Sequence, residues 1–239
     1  MNALILAAGQ GLRLRSITSG KPKCLIEIQG KSIIERQIEM FYNIGVKRIF
    51  IVVGYKKEAI INNLSKKFSN LVFIWNPFYQ SCNVIGSAWL GLRSLPKNDG
   101  FYYVHADTIF EKEVLHRLKE STGNLALCVD KKVCGEEEMK IWRISKSKIK
   151  ITKAIIDGKL VGEFIGLMKI DKAIINDLFN STETVLNRDN GVKEFFETVV
   201  QNLTDEKKIR AEIVDISGLF WSEIDFPEDY NNACKSFRT

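Results

Sequence analysis

Short apolar runs alternate with amphipathic stretches along the first half of the chain. Continuous apolar runs are typical of strands buried on both faces of a parallel sheet, and apolar residues spaced three and four apart indicate helices that pack on it. The predicted strands are 2–7, 48–53, 71–75 and 101–106, and the predicted helices are 32–43, 56–67, 83–94 and 111–120. This order predicts a doubly wound, mostly parallel, Rossmann-like α/β sheet.

The pattern changes near residue 125, where the predicted strands become shorter and follow one another. They are 125–130, 139–144, 149–156 and 162–170, and two helical stretches follow at 171–180 and 191–202. We expect this strand-rich insertion to cover the carboxyl ends of the parallel strands, where open α/β sheets bind ligands. No linker or repeat divides the sequence, which favours a single domain over residues 1–239.

The first predicted strand ends in a loop of small residues. Gly9 and Gly11 follow the apolar run closely, and glycines let backbone amides approach a ligand. Arg13 adds a planar, permanently charged fork and Lys23 a point charge, the two cation types that suit a polyphosphate. The stretch therefore predicts a loop that binds phosphate groups.

Two common phosphate-binding motifs do not fit this loop. A dinucleotide fingerprint needs a third glycine where the following helix packs on the strand, and Leu14 stands there. A P-loop needs Gly-Lys followed by Ser or Thr, whereas Gly20 and Lys21 are followed by Pro22. Both interpretations are excluded by these residues.

The loop instead resembles the signature of the nucleotidyltransferase superfamily, which includes sugar-nucleotide pyrophosphorylases and choline-phosphate cytidylyltransferases. That signature runs Leu-Ala-Ala-Gly-x-Gly-(Ser/Thr)-Arg-Leu-x-Pro-Leu-Thr, with Pro-Lys a few residues on. Its places are held here by Gly9, Gly11, Arg13, Leu14, Thr18, Pro22 and Lys23. Leu12 and Ser16 depart from it, in place of the hydroxyl residue and the proline, and they leave the charges and glycines intact.

The resemblance, closest to enzymes of the CTP:phosphocholine cytidylyltransferase type, implies roles for individual residues. Arg13 would stabilise the leaving pyrophosphate, and Lys23 the α-phosphate or the incoming anion. About residues 1–124 would form the nucleotide-binding half and about 125–225 the acceptor-binding part. The implied nucleotide-binding residues are Leu6, Ala7, Ala8, Gly9, Gly11, Asn83, Ser87 and Asp107.

Two of these residues are candidates for reading the base. Asn83 and Ser87 lie one helical turn apart and offer amide and hydroxyl groups to a cytosine. For each residue alone, a structural role explains the pattern equally well, with Asn83 as a helix N-cap and Ser87 as a small packing residue.

A bound polyphosphate calls for a metal ion with hard oxygen ligands, and Mg²⁺ is the expected cofactor. Asp107 follows the predicted strand 101–106, and in the segment 221–229 the period of a strand puts Trp221, Glu223 and Asp225 on one face. Both aspartates resemble family motifs, and the resemblance implies that they hold the metal. A helix N-cap for Asp107 and a turn residue for Asp225 are the alternatives.

The acceptor site is expected around an acidic turn at residues 136–138. In a chain of net charge +6, such a turn beside aromatic residues suits a cationic amine, which it would hold by ion pairing and cation-π attraction. A solvated acidic turn is the alternative. The expected acceptor-binding residues are Tyr79, Glu136, Glu138, Trp142, Trp221 and Glu223.

These features lead us to expect a cytidylyltransferase that couples CTP to a small phosphorylated or phosphonylated amine or polyol and releases pyrophosphate. Phosphocholine, phosphoethanolamine and 2-aminoethylphosphonate are examples of such an acceptor, activated for cell-surface polysaccharide or lipid decoration. Two alternatives stay open. One is a sugar-1-phosphate or inositol-phosphate nucleotidyltransferase, and the other a catalytically inactive, nucleotide-sensing relative.

The composition of the chain limits which partners and which cellular compartment we expect. No apolar stretch approaches the roughly 20 residues of a membrane span, and the basic residues are dispersed, so neither a membrane nor nucleic acid is an expected partner. The five cysteines form no Cys-x-x-Cys pair, and the two histidines lack zinc spacing. We expect a cytoplasmic protein with reduced thiols, acting as a monomer or a homodimer.

Overall fold

The computed structural model describes residues 1–145, 148–206 and 209–237. Its strands are β1 (Asn2–Ala7), β2 (Glu27–Ile28), β3 (Lys31–Ser32), β4 (Ile49–Val53), β5 (Leu71–Trp75), β6 (Phe101–His105), β7 (Thr108–Phe110), β8 (Leu125–Asp130), β9 (Lys140–Arg143), β10 (Ile149–Thr152), β11 (Lys159–Ile170), β12 (Ala211–Asp215) and β13 (Trp221–Glu223). Its helices are α1 (Arg15–Thr18), α2 (Ile33–Asn43), α3 (Lys57–Leu64), α4 (Val84–Ser94), α5 (Lys112–Glu120), α6 (Ile175–Leu186), α7 (Phe196–Glu206) and α8 (Pro227–Ser236).

Parallel strands form the first half of the sheet, in the order β6-β1-β4-β5. β1 is buried along its whole length because helices cover both faces of the sheet. Leu4 and Leu6 pack in one apolar cluster with residues of α4, while Ala3 and Ile5 pack in another with residues of α2. The predicted doubly wound arrangement is confirmed, and it explains the continuous apolar run of β1.

β11 joins the two halves of the sheet. It pairs antiparallel with β6 along one edge, with β8 along the other, and with β9 near its start. β8 pairs parallel with β12, and β9 pairs antiparallel with β10. The predicted strand-rich insertion is therefore a mixed extension of the same sheet, and the parallel pairing is concentrated in the first half.

Several boundaries in the second half differ from the prediction. The strand predicted at 149–156 ends at Thr152, whose Oγ1 accepts a hydrogen bond from the Ala154 backbone at 3.1 Å and turns the chain. The helix predicted at 191–202 begins at Phe196, after a single 3₁₀ turn, and the helix predicted at 171–180 continues to Leu186. β7 and β12 are short strands that the local pattern did not predict.

A buried glutamine fixes the turn that carries Asp107. Gln37 lies on α2, and its Nε2 donates to the carbonyl oxygens of His105 at 2.8 Å and Thr108 at 2.7 Å. These two carbonyls flank Asp107 at the end of β6 and the start of β7. The turn is thereby held in a fixed position against α2.

A second buried glutamine ties α7 to the edge strand β10. Gln201 Oε1 accepts a hydrogen bond from the Ile151 backbone at 2.8 Å, and its Nε2 donates to the Ile149 carbonyl at 3.2 Å. The side chain thus supplies the hydrogen bonds that a neighbouring strand would otherwise make along this edge. It keeps α7 against the part of the sheet that follows residue 125.

Replacing this glutamine tests its contribution to stability. Gln201→Met keeps the length of the side chain but leaves the Ile151 N–H and the Ile149 carbonyl buried without partners, and each orphaned group costs about 1–3 kcal/mol. We expect urea unfolding to show a loss of about 2–4 kcal/mol in the free energy of unfolding. The same change at the exposed Gln80 is the control and should stay within about 0.5 kcal/mol. Equal losses in both variants would contradict the assigned role.

Two further observations concern the chain as a whole. Within the described ranges, the helices are all too short or too polar to cross a membrane. Cys24, Cys82, Cys128, Cys134 and Cys234 are free thiols. Burial and the Asp107 charge raise the pKa of Cys24 to about 12, which makes its thiol a poor nucleophile.

Candidate active site

A buried lysine lies between two carboxylates at the carboxyl edge of the parallel strands. Lys23 Nζ donates to Asp107 Oδ2 at 2.8 Å and also to Asp225 Oδ1. Burial opposes the charged ammonium, but the charges of Asp107 and Asp225 and their hydrogen bonds outweigh it and raise the pKa of Lys23. Burial likewise opposes the Asp107 carboxylate, and the charges of Lys23 and His105 nevertheless lower its pKa. We call Lys23, Asp107 and Asp225 the central ion group.

A short antiparallel pair brings the two aspartates together although they are far apart in the sequence. β13 pairs with β7, and the Ile224 backbone N–H donates to the Asp107 carbonyl at 3.0 Å. Asp107 stands just before β7 and Asp225 just after β13, so this pairing sets both carboxylates at the same end. The expected proximity of the two predicted metal ligands follows from this local geometry.

The glycine loop packs directly against the central ion group. Gly11 has a φ of +58°, and a Cβ at this position would lie 2.8 Å from Lys23 Cβ. Gly9 lies in open space, with nothing within 4 Å of the position of a Cβ. Gly11 is therefore required by the fold itself, whereas the space beside Gly9 is left for a ligand.

This contrast gives a test that separates folding from binding. Gly11→Ala places a side chain in a left-handed conformation against Lys23, and we expect a loss of about 1–3 kcal/mol in the free energy of unfolding. Gly9→Ala should change stability by less than about 0.5 kcal/mol, yet weaken CTP binding at least about tenfold by blocking the approach of phosphate. Urea unfolding and isothermal titration with CTP measure the two effects. CTP binding at wild-type strength in Gly9→Ala would contradict the assignment.

Arg13 lies at the mouth of the site. Its guanidinium is 3.8 Å from Asp225 Oδ2, and it sits over the Phe226 ring at 5.1 Å from the centroid. The Phe226 ring supports the guanidinium by a cation-π contact. Arg13 therefore contacts the central ion group through Asp225 while its side chain stays solvent-accessible.

Two adjoining cavities contain all of the predicted nucleotide-binding residues. The first, of about 270 Å³, is lined by Leu6, Ala7, Gly9, Gly11, Leu12, Arg13, Lys23, Cys24, Ala106, Asp107 and Asp225. The second, of about 370 Å³, is lined by Leu6, Ala8, Gly9, Tyr79, Cys82, Asn83, Val84, Ser87, His105, Asp107 and Phe195. Together they form a compartment lined by charged side chains and a less polar one beside it. Tyr79, predicted to contact the acceptor, belongs to the second of these cavities.

The two candidate base-reading residues are already engaged in the fold. Asn83 Oδ1 caps α4 by accepting from the Val84 backbone at 2.8 Å, and its Nδ2 donates to the Lys193 carbonyl at 3.1 Å. Ser87 Oγ accepts from Asn76 Nδ2 at 2.9 Å. The structural alternative is thus realised for Asn83, while the Ser87 hydroxyl can still donate its proton towards a ligand.

A third cavity, of about 510 Å³, shares Arg13 and Asp225 with the first and is rich in carboxylates. We call it the acidic cavity. Of the predicted acceptor-binding residues, Glu138, Trp221 and Glu223 line it. Its carboxylates belong to Asp130, Glu137, Glu138, Glu163, Glu197, Glu223, Asp225 and Asp229.

Two predicted acceptor-binding residues lie elsewhere. Trp142 is buried in β9, paired with Lys150 of β10 on one side and Leu160 of β11 on the other, and is not part of the cavity wall. The Glu136 side chain is also outside the wall, and its backbone carbonyl accepts from Lys140 Nζ at 3.4 Å. Strand pairing therefore fixes the position of Trp142, and the buried Lys140 holds the backbone of Glu136.

The structure adds residues that sequence reasoning missed. Asn76 directly follows β5, so the rule that singled out Asp107, a polar residue after a buried strand, would have found it. Glu163 and Glu197 lie within a strand and a helix. The pattern of the sequence does not distinguish such carboxylates from ordinary surface acids.

The carboxylates near the central ion group suit a divalent metal ion. His105, Asp107 and Glu223 each offer a ligand atom, and these atoms lie within 4.8 Å of one another. Asp107 Oδ1 is buried and has no hydrogen-bond partner in the part of the chain that the structure describes. Desolvation in the cleft, together with the charges of Asp107 and Asp225, raises the pKa of Glu223 to about 8. An uncompensated oxygen and crowded negative charge are what a cation would relieve.

Comparison with known proteins identifies the family. Residues 3–147 match the MobA-like NTP transferase domain. The chain belongs to this family. Membership confirms the nucleotidyltransferase assignment that the glycine loop predicted, and nucleotidyltransferases of this kind generally use a divalent metal ion.

Individual relatives cover almost the whole chain. It is 28% identical over 254 residues to a CTP:phosphoglutamine cytidylyltransferase of Campylobacter jejuni, covering 96% of this chain and 97% of the relative. It is 26% identical over 230 residues to a choline-phosphate cytidylyltransferase of Streptococcus pneumoniae, covering 96% and 95%. The solved structure of the CTP:phosphocholine cytidylyltransferase from Streptococcus pneumoniae (LicC) superposes with a TM-score of 0.79 at 24% identity, covering 98% of this chain and 97% of that one. The predicted fold class is thereby confirmed.

Proposed function

We propose that the protein is a cytidylyltransferase that couples CTP to a small phosphorylated or phosphonylated acceptor and releases pyrophosphate. One observation carries the proposal: the first cavity beside the glycine loop and the acidic cavity share Arg13 and Asp225, next to Lys23. A nucleotide in the former and an acceptor in the latter would have their phosphates side by side there. The cytidylyltransferases among the relatives support CTP as the nucleotide.

The acidic cavity supports an acceptor that carries positive charge. The uncharged sugar ring of a sugar phosphate gains no Coulomb attraction from a wall rich in carboxylates, whereas the ammonium group of an amine does. We therefore favour acceptors of the phosphocholine, phosphoethanolamine or 2-aminoethylphosphonate type over a sugar-1-phosphate or an inositol phosphate. The presence of Arg13, Lys23, Asp107 and Asp225 in one group favours an active enzyme over an inactive relative.

The reaction needs charge control more than proton transfer. An acceptor phosphate oxygen, already ionised near neutral pH, attacks the α-phosphorus of CTP and forms a new P–O bond. The bond from the α-phosphorus to the bridging oxygen breaks, and the pyrophosphate leaves with the electron pair. Lys23 would reduce the repulsion between the two anions, and Arg13 would stabilise the charge that develops on the leaving group. A general base is not required.

We propose that Asp107 and Asp225 hold Mg²⁺, with Glu223 beside them. The unpartnered Asp107 oxygen and the nearby carboxylates support this assignment. When bound, the ion supplies positive charge that neutralises phosphate oxygens and helps to align them. Lys23 bridges the same two carboxylates by hydrogen bonds and keeps them close together.

Metal binding can be measured without turnover. Asp107→Asn and Asp225→Asn should each weaken Mn²⁺ binding, followed by electron paramagnetic resonance in the presence of CTP, by at least about tenfold, because each removes a charged ligand. Asp157→Asn alters an exposed aspartate and serves as the control. Mn²⁺ affinity at the wild-type level in both site variants would contradict the metal assignment.

Substrate choice tests the function itself. We expect kcat/KM for pyrophosphate release to be at least about tenfold higher with CTP than with UTP, dTTP or ATP. We also expect it to be higher with phosphorylated amines than with glucose-1-phosphate or inositol-1-phosphate. A coupled pyrophosphate assay with Mg²⁺ measures both comparisons. Preference for UTP or dTTP with a sugar phosphate would move the protein to the sugar class, and absence of release with every pair would favour an inactive relative.

We propose that the protein acts in the cytoplasm, where CTP is available. Its five free thiols suit a reducing compartment.

A further inference from the structure

Glu197 is a buried carboxylate without a partner in the wall of the acidic cavity. The residue is only 5% exposed, and its Oε2 is buried with no hydrogen bond. In the described part of the chain, its carboxylate forms no ion pair either. Two other buried acids have a lysine partner: Glu35 pairs with Lys67, and Glu163 pairs with Lys132 at 2.7 Å.

An unpaired charge in such a place is costly, and the fold compensates it only in part. Glu197 lies in the first turn of α7, where the partial positive charge of the helix end favours an acid. That effect is much smaller than the cost of removing a carboxylate from water. The remaining cost would be relieved by a positive charge that enters the cavity.

The two lysines and the arginine that line the same cavity contact other carboxylates. Lys132 Nζ pairs with Glu163, and Lys153 Nζ lies 3.5 Å from Glu137 Oε2. Arg13 faces Asp225. These contacts leave Glu197 for a ligand.

Three of the five phenylalanine and tryptophan rings that line the cavity have a cation of the protein over one face. Lys132 Nζ lies 4.8 Å from the centroid of the Trp221 ring, and Lys153 Nζ lies 5.6 Å from that of Phe195. Arg13 lies over Phe226. A quaternary ammonium, which has no N–H to donate, depends on free aromatic faces. A primary ammonium instead satisfies a carboxylate oxygen by donating hydrogen bonds.

We propose that Glu197 determines acceptor specificity by binding a primary ammonium group, so that the enzyme prefers a phosphorylated primary amine to its quaternary counterpart. The inference rests on the proposed function. The acidic cavity also contains Arg13 and Asp225, so an acceptor bound to Glu197 can direct its phosphate towards the nucleotide.

A methylation series of one acceptor tests the proposal. Phosphoethanolamine, its N-methyl and N,N-dimethyl forms and phosphocholine keep the positive charge but lose one N–H at each step, and propyl phosphate removes the charge. For the wild-type enzyme with CTP and Mg²⁺, we expect kcat/KM to fall at least about tenfold from phosphoethanolamine to phosphocholine, and further for propyl phosphate.

Glu197→Gln keeps the size of the side chain and removes its charge. The ratio of kcat/KM for phosphoethanolamine over propyl phosphate should fall at least about tenfold, chiefly through KM for the amine. Glu206→Gln, at an exposed position of the same helix, is the control and should leave the ratio at the wild-type value. A ratio that is unchanged in Glu197→Gln would overturn the proposal.

A measurement without ligand distinguishes this outcome from a failure of the proposed function. Removing an uncompensated buried charge should raise the melting temperature of the ligand-free protein by about 2–4 °C, and Glu206→Gln should not. A melting temperature that is unchanged or lowered in Glu197→Gln would overturn the assignment of an unpaired charge.

Turnover of phosphocholine or a sugar phosphate in preference to phosphoethanolamine would overturn the primary-amine specificity while leaving nucleotidyl transfer intact. Absence of turnover with all acceptors and nucleotides would overturn the proposed function, whatever the melting temperatures.

Discussion

The ion group of Lys23, Asp107 and Asp225 is the interaction on which the rest of the site depends. A buried ammonium is tolerated only while both carboxylates stay within hydrogen-bonding distance, and the three residues come from distant parts of the chain. The fold therefore positions each of the three residues by a separate contact. Gln37 holds the Asp107 turn, the pairing of β7 with β13 presents Asp225, and Gly11 leaves room for the lysine stem.

The parts of the fold that the sequence predicts well are those with local causes. The bounds of β1 and β8 agree with the apolar runs, because a strand buried on both faces needs little else to identify it. The start of α2 agrees because the capping box of Ser32 and Glu35 is formed by neighbouring residues. β7 and β12 were missed because their hydrogen bonds go to partners distant in sequence.

The same distinction separates the two halves of the site. The residues around the glycine loop were predictable because a motif of fixed spacing carries them. The lining of the acidic cavity was not, since strand pairing puts Trp142 within the sheet and a helix contributes Glu197. A sequence records that a residue is acidic, but whether its charge is paired depends on every element packed around it.

β11 has a mechanical consequence for access to the site. It is hydrogen-bonded to β6 along one edge and to β8 along the other, and β6 leads directly into the turn that bears Asp107. Rotating the second half of the sheet away as a rigid lid would break the ladder between β11 and β6, which joins it to the parallel strands. Displacement of loops alone would leave this ladder intact, and the sheet would then hold the Asp107 turn in place before any ligand arrives.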